Sequence, residues 1–287
     1  MLADLEKASD SAIKDGSVYF KTGGNNEIRC MGNMRKQYYN ALPARPGTSS
    51  TENDLEFLIR FLSPAADKIE SITATAWGGH IPFLFCLIAC LKPRIYAELG
   101  SHFGASFFAT CQSLQKHEID GQAVAVDLWE GDEHAGFYGD DVFTSFQRIL
   151  SRKYSDVGDY LRMSFDEAAG LFENESIDIL HIDGLHTYEA VRHDYETWRS
   201  KVVSNGVIIF HDTNVFERGF GVWELWKEIS GDGASYEFKH THGLGVLAFG
   251  SREENPVVRV LEIVNSSESL SGFFEDYFSR LGGLAFN

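Results

Sequence analysis

The chain has 287 residues, 44% of them hydrophobic, which is enough for one sizeable core with an appendage. Its 25 Lys and Arg against 42 Asp and Glu give a formal charge of −17, a field that disfavours nucleic acid and anionic membranes and favours a small molecule or a neutral glycan as partner. The polar residues 1–7 lack the apolar run of a secretion signal, and Cys30, Cys86, Cys90 and Cys111 form no C-x-x-C pair, so reduced thiols and a cytoplasmic location are expected.

Residues 1–50 mix Gly, Asn, Ser and Lys and end in a Pro/Gly/Ser linker at 42–50, which predicts irregular or weakly helical structure. Residues 53–62 place Leu55, Leu58, Ile59 and Leu62 on one helical face, suited to packing on the main body or on a second copy in a homodimer. The apolar run 81–91 is about half of the ~20 residues that a membrane span needs, and reads as a core helix. From residue 94 strands and helices alternate: strand 94–98, helix 104–116, strand 123–127, helix 141–151, strand 159–163, helix 166–173, strand 177–182, helix 187–200 and strand 206–210. Such alternation predicts a parallel sheet with helices on both faces. After a helix near 222–229, the strands 235–239 and 245–249 are too close together to be anything but antiparallel neighbours, and the tail 251–287 adds one or two helices. The reading is an N-terminal extension (1–92), an α/β domain (93–250) and a helical tail (251–287).

Four clusters sit just past the carboxyl ends of predicted strands, where open α/β sheets bind ligands. The first, residues 94–106, is a strand that breaks at Gly100 and re-enters a helix near Gly104, with free N–H groups aimed at whatever is bound. His102 occupies the middle glycine position of G-x-G-x-x-G, which argues against NAD, while Glu98 at the strand end would repel a pyrophosphate and attract a cationic ligand. Asp127 closes the next strand, placed to accept hydrogen bonds from ribose hydroxyls. The third cluster delivers Asp183 with His186 three residues on, and Thr187 as a helix cap. The fourth ends in His211 and Asp212. Carboxylates and imidazoles converging from adjacent strands are costly unless a cation compensates them, so a divalent metal is expected on physical grounds.

The order of elements resembles class I S-adenosylmethionine-dependent methyltransferases. D-x-x-H at Asp183–His186 and the pair at His211–Asp212 resemble the metal-dependent O-methyltransferases, including the macrocin and mycinamicin sugar enzymes, over roughly residues 93–250. Further phrases at 131–139, 181–190, 218–223 and 242–246 resemble a bacterial subgroup associated with glycosyltransferases. The resemblance implies a mostly parallel seven-stranded Rossmann-like sheet that ends in an antiparallel pair. It implies S-adenosylmethionine at Glu98, Gly100, Ser101, Gly104, Ser106, Asp127, Ser164, Phe165 and Asp183, a metal (Mg or Mn) at Asp183, His211 and Asp212, and His186 as general base. His211 departs from the family's second carboxylate, and imidazole suits Mn, Fe, Zn or Ni better than Mg.

The implied reaction is direct displacement, in which a substrate hydroxyl attacks the sulfonium methyl, with orientation worth roughly 7–11 kcal/mol and a positioned base about 10²–10⁴-fold. A sugar or glycan with vicinal hydroxyls suits that geometry. His134, in the 131–139 loop, stands as either a substrate contact or a loop support; His240 and His242 read as solvated turn residues; Trp129 stands as either an adenine cover or core. Two other classes remain: a non-haem iron oxygenase using His181 and Asp183, and a non-catalytic nucleotide-binding partner of a glycosyltransferase. Acceptor identity is expected to lie in residues 1–92 and 128–141, which sequence does not decode.

Overall fold

The computed structural model describes residues 19–21, 28–30, 53–67 and 75–284. Strands β1 (Tyr19–Lys21) and β2 (Ile28–Cys30) are followed by helices α1 (Asp54–Leu62) and α2 (Ile81–Leu91), β3 (Ile95–Leu99), α3 (Ala105–Lys116) and β4 (Gln122–Asp127). A small ribbon of β5 (Gly131–Asp132) and β6 (Gly136–Phe137) precedes α4 (Asp140–Ile149), β7 (Gly158–Arg162), α5 (Phe165–Ala169), β8 (Ile177–Ile182), α6 (Tyr188–Trp198) and β9 (Val202–His211). The chain continues through α7 (Val222–Ile229), β10 (Ala234–Phe238), β11 (Leu244–Ala248), α8 (Pro256–Asn265) and α9 (Glu268–Leu284).

Seven strands form one sheet in the order β10-β11-β9-β8-β3-β4-β7, parallel except for β11, which runs antiparallel to both β9 and β10. The parallel part is what the alternation predicts, and the whole is the Rossmann-like sheet with an antiparallel end that the resemblance implies. The crossovers reverse direction between β3 and β8, so the carboxyl ends of these two strands open a crevice.

Side-chain alternation splits the core across the two faces. On one, Tyr96, Ile179, Val207 and Ile209 pack against Phe83 of α2, Phe107 of α3, Val260 of α8 and Phe274 of α9. On the other, Ala97, Leu180, Ile208 and Phe210 meet Trp198 of α6 and Leu225 and Trp226 of α7. Apart from Ala89 and Cys90, α2 is buried all round, as a core helix should be. Among the described residues no helix is long and apolar enough to cross a membrane, and Cys86 and Cys111 are buried free thiols.

Two expectations are corrected. The first 50 residues contain the antiparallel pair β1–β2 rather than only irregular or weakly helical chain, while the linker at 42–50 lies outside the described residues. In α1 the buried face is Phe57, Leu58, Phe61 and Leu62, leaving Leu55 and Ile59 63% and 61% exposed. The phenylalanines decide the phase: Phe61 stacks on Phe274 at 6.2 Å, and the Arg259 guanidinium lies 4.2 Å from the Phe57 ring centroid. Two large rings outweigh the two smaller aliphatic side chains.

Candidate active site

The turn after β3 is built by backbone geometry. Gly100 sits at φ +87°, and a Cβ there would lie 2.1 Å from the Asp183 carbonyl oxygen, so only glycine lets β3 and β8 end side by side. Gly104 caps α3 at φ +84°. His102, at the missing glycine position, itself adopts φ +49°. What holds it there is Asp127: one carboxylate oxygen accepts from Ser101 N at 2.8 Å and His102 N at 3.0 Å, the other from Trp129 N at 2.6 Å. Asp127 therefore shapes the turn while lining a cavity of about 650 Å³.

Gly100, Ser101, Ser106, Ser164 and Phe165 also line this cavity. Ser164 caps α5 in a capping box with Glu167, and its hydroxyl donates to Glu167 Oε2 at 2.8 Å. Trp129 is core: it is fully buried, and its indole N–H donates to the His102 carbonyl at 2.8 Å.

Glu98 does not line the cavity. It shares with Tyr96 the β3 face turned toward α2 and α3, and is paired in register with His181 of β8, so its side chain points into that layer and is fully buried. There Glu98 Oε2 accepts from the Tyr96 hydroxyl at 2.6 Å and from His181 Nδ1 at 2.9 Å, while His181 Nε2 accepts from Trp77 Nε1 at 3.2 Å. Accepting at Nε2 fixes the His181 proton on Nδ1. Burial first, and the Glu98 charge second, push the Tyr96 hydroxyl well above its ordinary value. Both His181 nitrogens are engaged, which removes the ligand that an iron oxygenase reading requires.

The reactive cluster gathers past β8 and β9. Donor atoms of Asp183, His186 and Asp212 lie within 4.8 Å of one another, the combination among the described residues able to hold a metal ion. His186 Nε2 is 2.8 Å from Asp212 Oδ2 and 3.5 Å from Asp183 Oδ1. His211, expected as a ligand, stands beside the set with Nδ1 at 3.3 Å from Asp183 Oδ1 and 3.1 Å from Asp212 Oδ2; the imidazole that completes the converging set is His186. The reason is again alternation: His211 shares the Ile209 face, where its ring stacks on Trp77 at 5.5 Å.

Electrostatically the cluster neutralises itself. Burial disfavours the His186 imidazolium, but hydrogen bonds to Asp183 and Asp212 overcome it and raise its pKa to about 9. Burial likewise opposes the His211 cation, and the charges of Asp183 and Asp212 raise it to about 10. Burial would push both carboxyls up, but His211 and then His186 hold them well below the usual carboxylate range.

Three residues in and around the cavity wall were missed or misjudged from sequence. His242 is half-exposed in its turn, as expected, but is also a partner of the cluster, with Nδ1 2.8 Å from Asp212 Oδ1. His240 is also engaged, bonded to Glu275 Oε1 at 2.8 Å and tilted against the His80 ring at 4.4 Å. Trp77, from the 3₁₀ turn Ala76–His80, lines the cavity although nothing in its local sequence marks it. His134 lies flat on Phe220 at 4.5 Å, and Phe220 lies flat on His186 at 4.6 Å.

Residues 97–213 match a family model described as a methyltransferase domain. An uncharacterized protein, y4gI, of Sinorhizobium fredii is 38% identical over 210 residues, 72% of this chain and 23% of that protein, so the chain spans under a quarter of its relative's length. Among solved structures, the SAH-bound Podospora anserina methyltransferase PaMTH1 is 13% identical with a TM-score of 0.47, covering 80% of this chain and 100% of that one. The O-methyltransferase TomG from Streptomyces achromogenes, in complex with SAM, is 13% identical with a TM-score of 0.46, covering 76% and 96%. Over residues 97–213 the chain is thus similar to a methyltransferase-domain family, and its own strand order is Rossmann-like.

Proposed function

We propose that this domain is an S-adenosylmethionine-dependent O-methyltransferase acting on a hydroxyl of a sugar or glycan-type small molecule. The observation that carries the reading is one cavity whose walls join the Gly100–Ser106 turn and Asp127 to the Asp183–His186–Asp212 cluster. The first wall suits an adenosyl group, with backbone N–H groups at a helix start and a carboxylate at the end of β4. The second suits a hydroxyl about to lose its proton.

In this reading the chain binds and aligns. Trp77 and Phe220 flank the cluster and limit water, and Asp183 and Asp212 orient the acceptor oxygen. His186 takes the hydroxyl proton in the form that has given up its own. S-adenosylmethionine supplies the methyl group, whose sulfonium leaves without acid assistance. A divalent cation would be held by the carboxylates of Asp183 and Asp212, where its chemistry would be to acidify and fix the hydroxyl, leaving the His186 lone pair free for the proton.

Calorimetry with S-adenosylmethionine and S-adenosylhomocysteine, with and without Mg or Mn, tests the reading. Wild type should bind both cofactor forms, and Asp127→Ala should lose most of that affinity. Asp183→Ala and His186→Ala should keep cofactor and lose transfer by at least about 10²-fold. Absence of cofactor binding by wild type would overturn the assignment.

A further inference from the structure

The segment from β9 to α7 carries a cation that the cofactor site and the cluster leave without a role. Arg218 lines the cavity, and it is the one Lys or Arg among the described residues that do so. Its guanidinium carbon lies 4.8 Å from the centroid of the Phe220 ring, the ring that lies flat on His186. No carboxylate stands within ion-pair distance of Arg218 among the described residues, in a chain of net charge −17. Arg218 is exposed at the rim of that cavity, so its guanidinium is open to a ligand entering from solvent.

The backbone is arranged to keep it there. Arg218 holds φ +57° and Gly219 φ +74°, a left-handed pair of which the arginine costs about 1 kcal/mol or more. Two residues on, Gly221 N donates to the His186 carbonyl at 2.8 Å, and a Cβ on Gly221 would lie 2.5 Å from Tyr188, so the segment is pressed onto the start of α6. Arg218 is thus placed one ring away from the proton-accepting imidazole. A guanidinium stacked on an aromatic face keeps its N–H edges free for a planar or tetrahedral anion.

We infer that Arg218 receives an anionic group of the acceptor, a carboxylate or a phosphate, while the acceptor hydroxyl lies at Asp183, His186 and Asp212. The acceptor class is then a sugar acid or a sugar phosphate rather than a neutral glycan. This rests on the O-methyl transfer reading and deepens it.

The test is calorimetric titration of the S-adenosylhomocysteine-loaded protein with D-glucuronate, D-glucose 1-phosphate and D-glucose at fixed ionic strength. At least one anion should bind wild type tenfold or more tightly than glucose. Arg218→Gln should reduce that preference to threefold or less, and Arg218→Lys should keep part of it. Affinity for S-adenosylhomocysteine should be equal in all three proteins. The stronger of the two anions identifies carboxylate or phosphate as the group recognised. Equal binding of all three sugars, absence of saturable anion binding to wild type, or an unchanged preference in Arg218→Gln would overturn the inference alone. Failure of wild type to bind S-adenosylhomocysteine would instead overturn the methyl-transfer reading and the inference with it.

Discussion

His242 and Asp212 meet across the seam between β9 and β11: His242 Nδ1 lies 2.8 Å from Asp212 Oδ1, while the other oxygen of the same carboxylate serves His186 and His211. Asp212 itself stands at φ +63°, and its N–H donates to the Gly243 carbonyl at 3.2 Å. A single carboxylate is therefore oriented by a hairpin turn that lies 30 residues further along the chain.

His242→Ala should lower kcat by about tenfold through loss of one charge-assisted hydrogen bond. Cofactor affinity should not change, because His242 sits at the cluster rather than at the cofactor turn. His242→Asn, whose amide can donate from nearly the same position, should recover much of the loss. Steady-state kinetics with a cofactor titration checks this, and an alanine variant with unaltered kcat would show that the contact orients nothing.

Gly100 and Gly136 share nearly the same positive φ, at +87° and +83°, but differ in what surrounds them. A Cβ on Gly136 meets nothing within 4 Å, whereas one on Gly100 lands 2.1 Å from Asp183 O. Gly136→Ala should cost only the conformational penalty of about 1 kcal/mol. Gly100→Ala must push β3 away from β8, and should cost several kcal/mol and abolish cofactor binding. Chemical denaturation of the two variants side by side separates strain from collision; equal losses would refute the close approach.

Much of the architecture was legible because β4 and β9 end in Asp127 and His211, β8 runs directly into Asp183, and parallel strands bring such ends together. Asp127, Asp183, His186 and Asp212 were placed at the crevice for that reason. Glu98 was misread because a strand's end and a strand's face look alike without register: its pairing with His181 turns it into the layer beneath α2 and α3. Trp77 and His242 were invisible for a different reason. Each reaches the site through tertiary contacts, Trp77 by its bond to His181 and His242 by the pairing of β11 with β9. Neither lies in a periodic segment of its own. In α1 the aliphatic spacing pointed to the face of Leu55 and Ile59, and the contacts of Phe61 with Phe274 and of Phe57 with Arg259 turn the helix to another.

Asp194 gives a prediction about pH. It is 7% exposed on α6, lines the cavity with Oδ2 against Gly184, and is faced by His193 and Asp166. Burial raises its pKa from the ordinary aspartate value to about 7, while His193 opposes the rise and Asp166 adds to it. The folded state thus binds this proton more tightly than the unfolded chain does. Stability from this group is full below the unfolded pKa near 4, falls as pH rises toward 7, and is level above it. At about 1.4 kcal/mol per unit, the loss between pH 5 and pH 8 is roughly 2–3 kcal/mol. Asp194→Asn removes the titration, so the melting temperature of the variant minus that of wild type should grow by several degrees from pH 5 to pH 8. Parallel melting curves across that range would mean that Asp194 is ionised throughout and its burial is compensated.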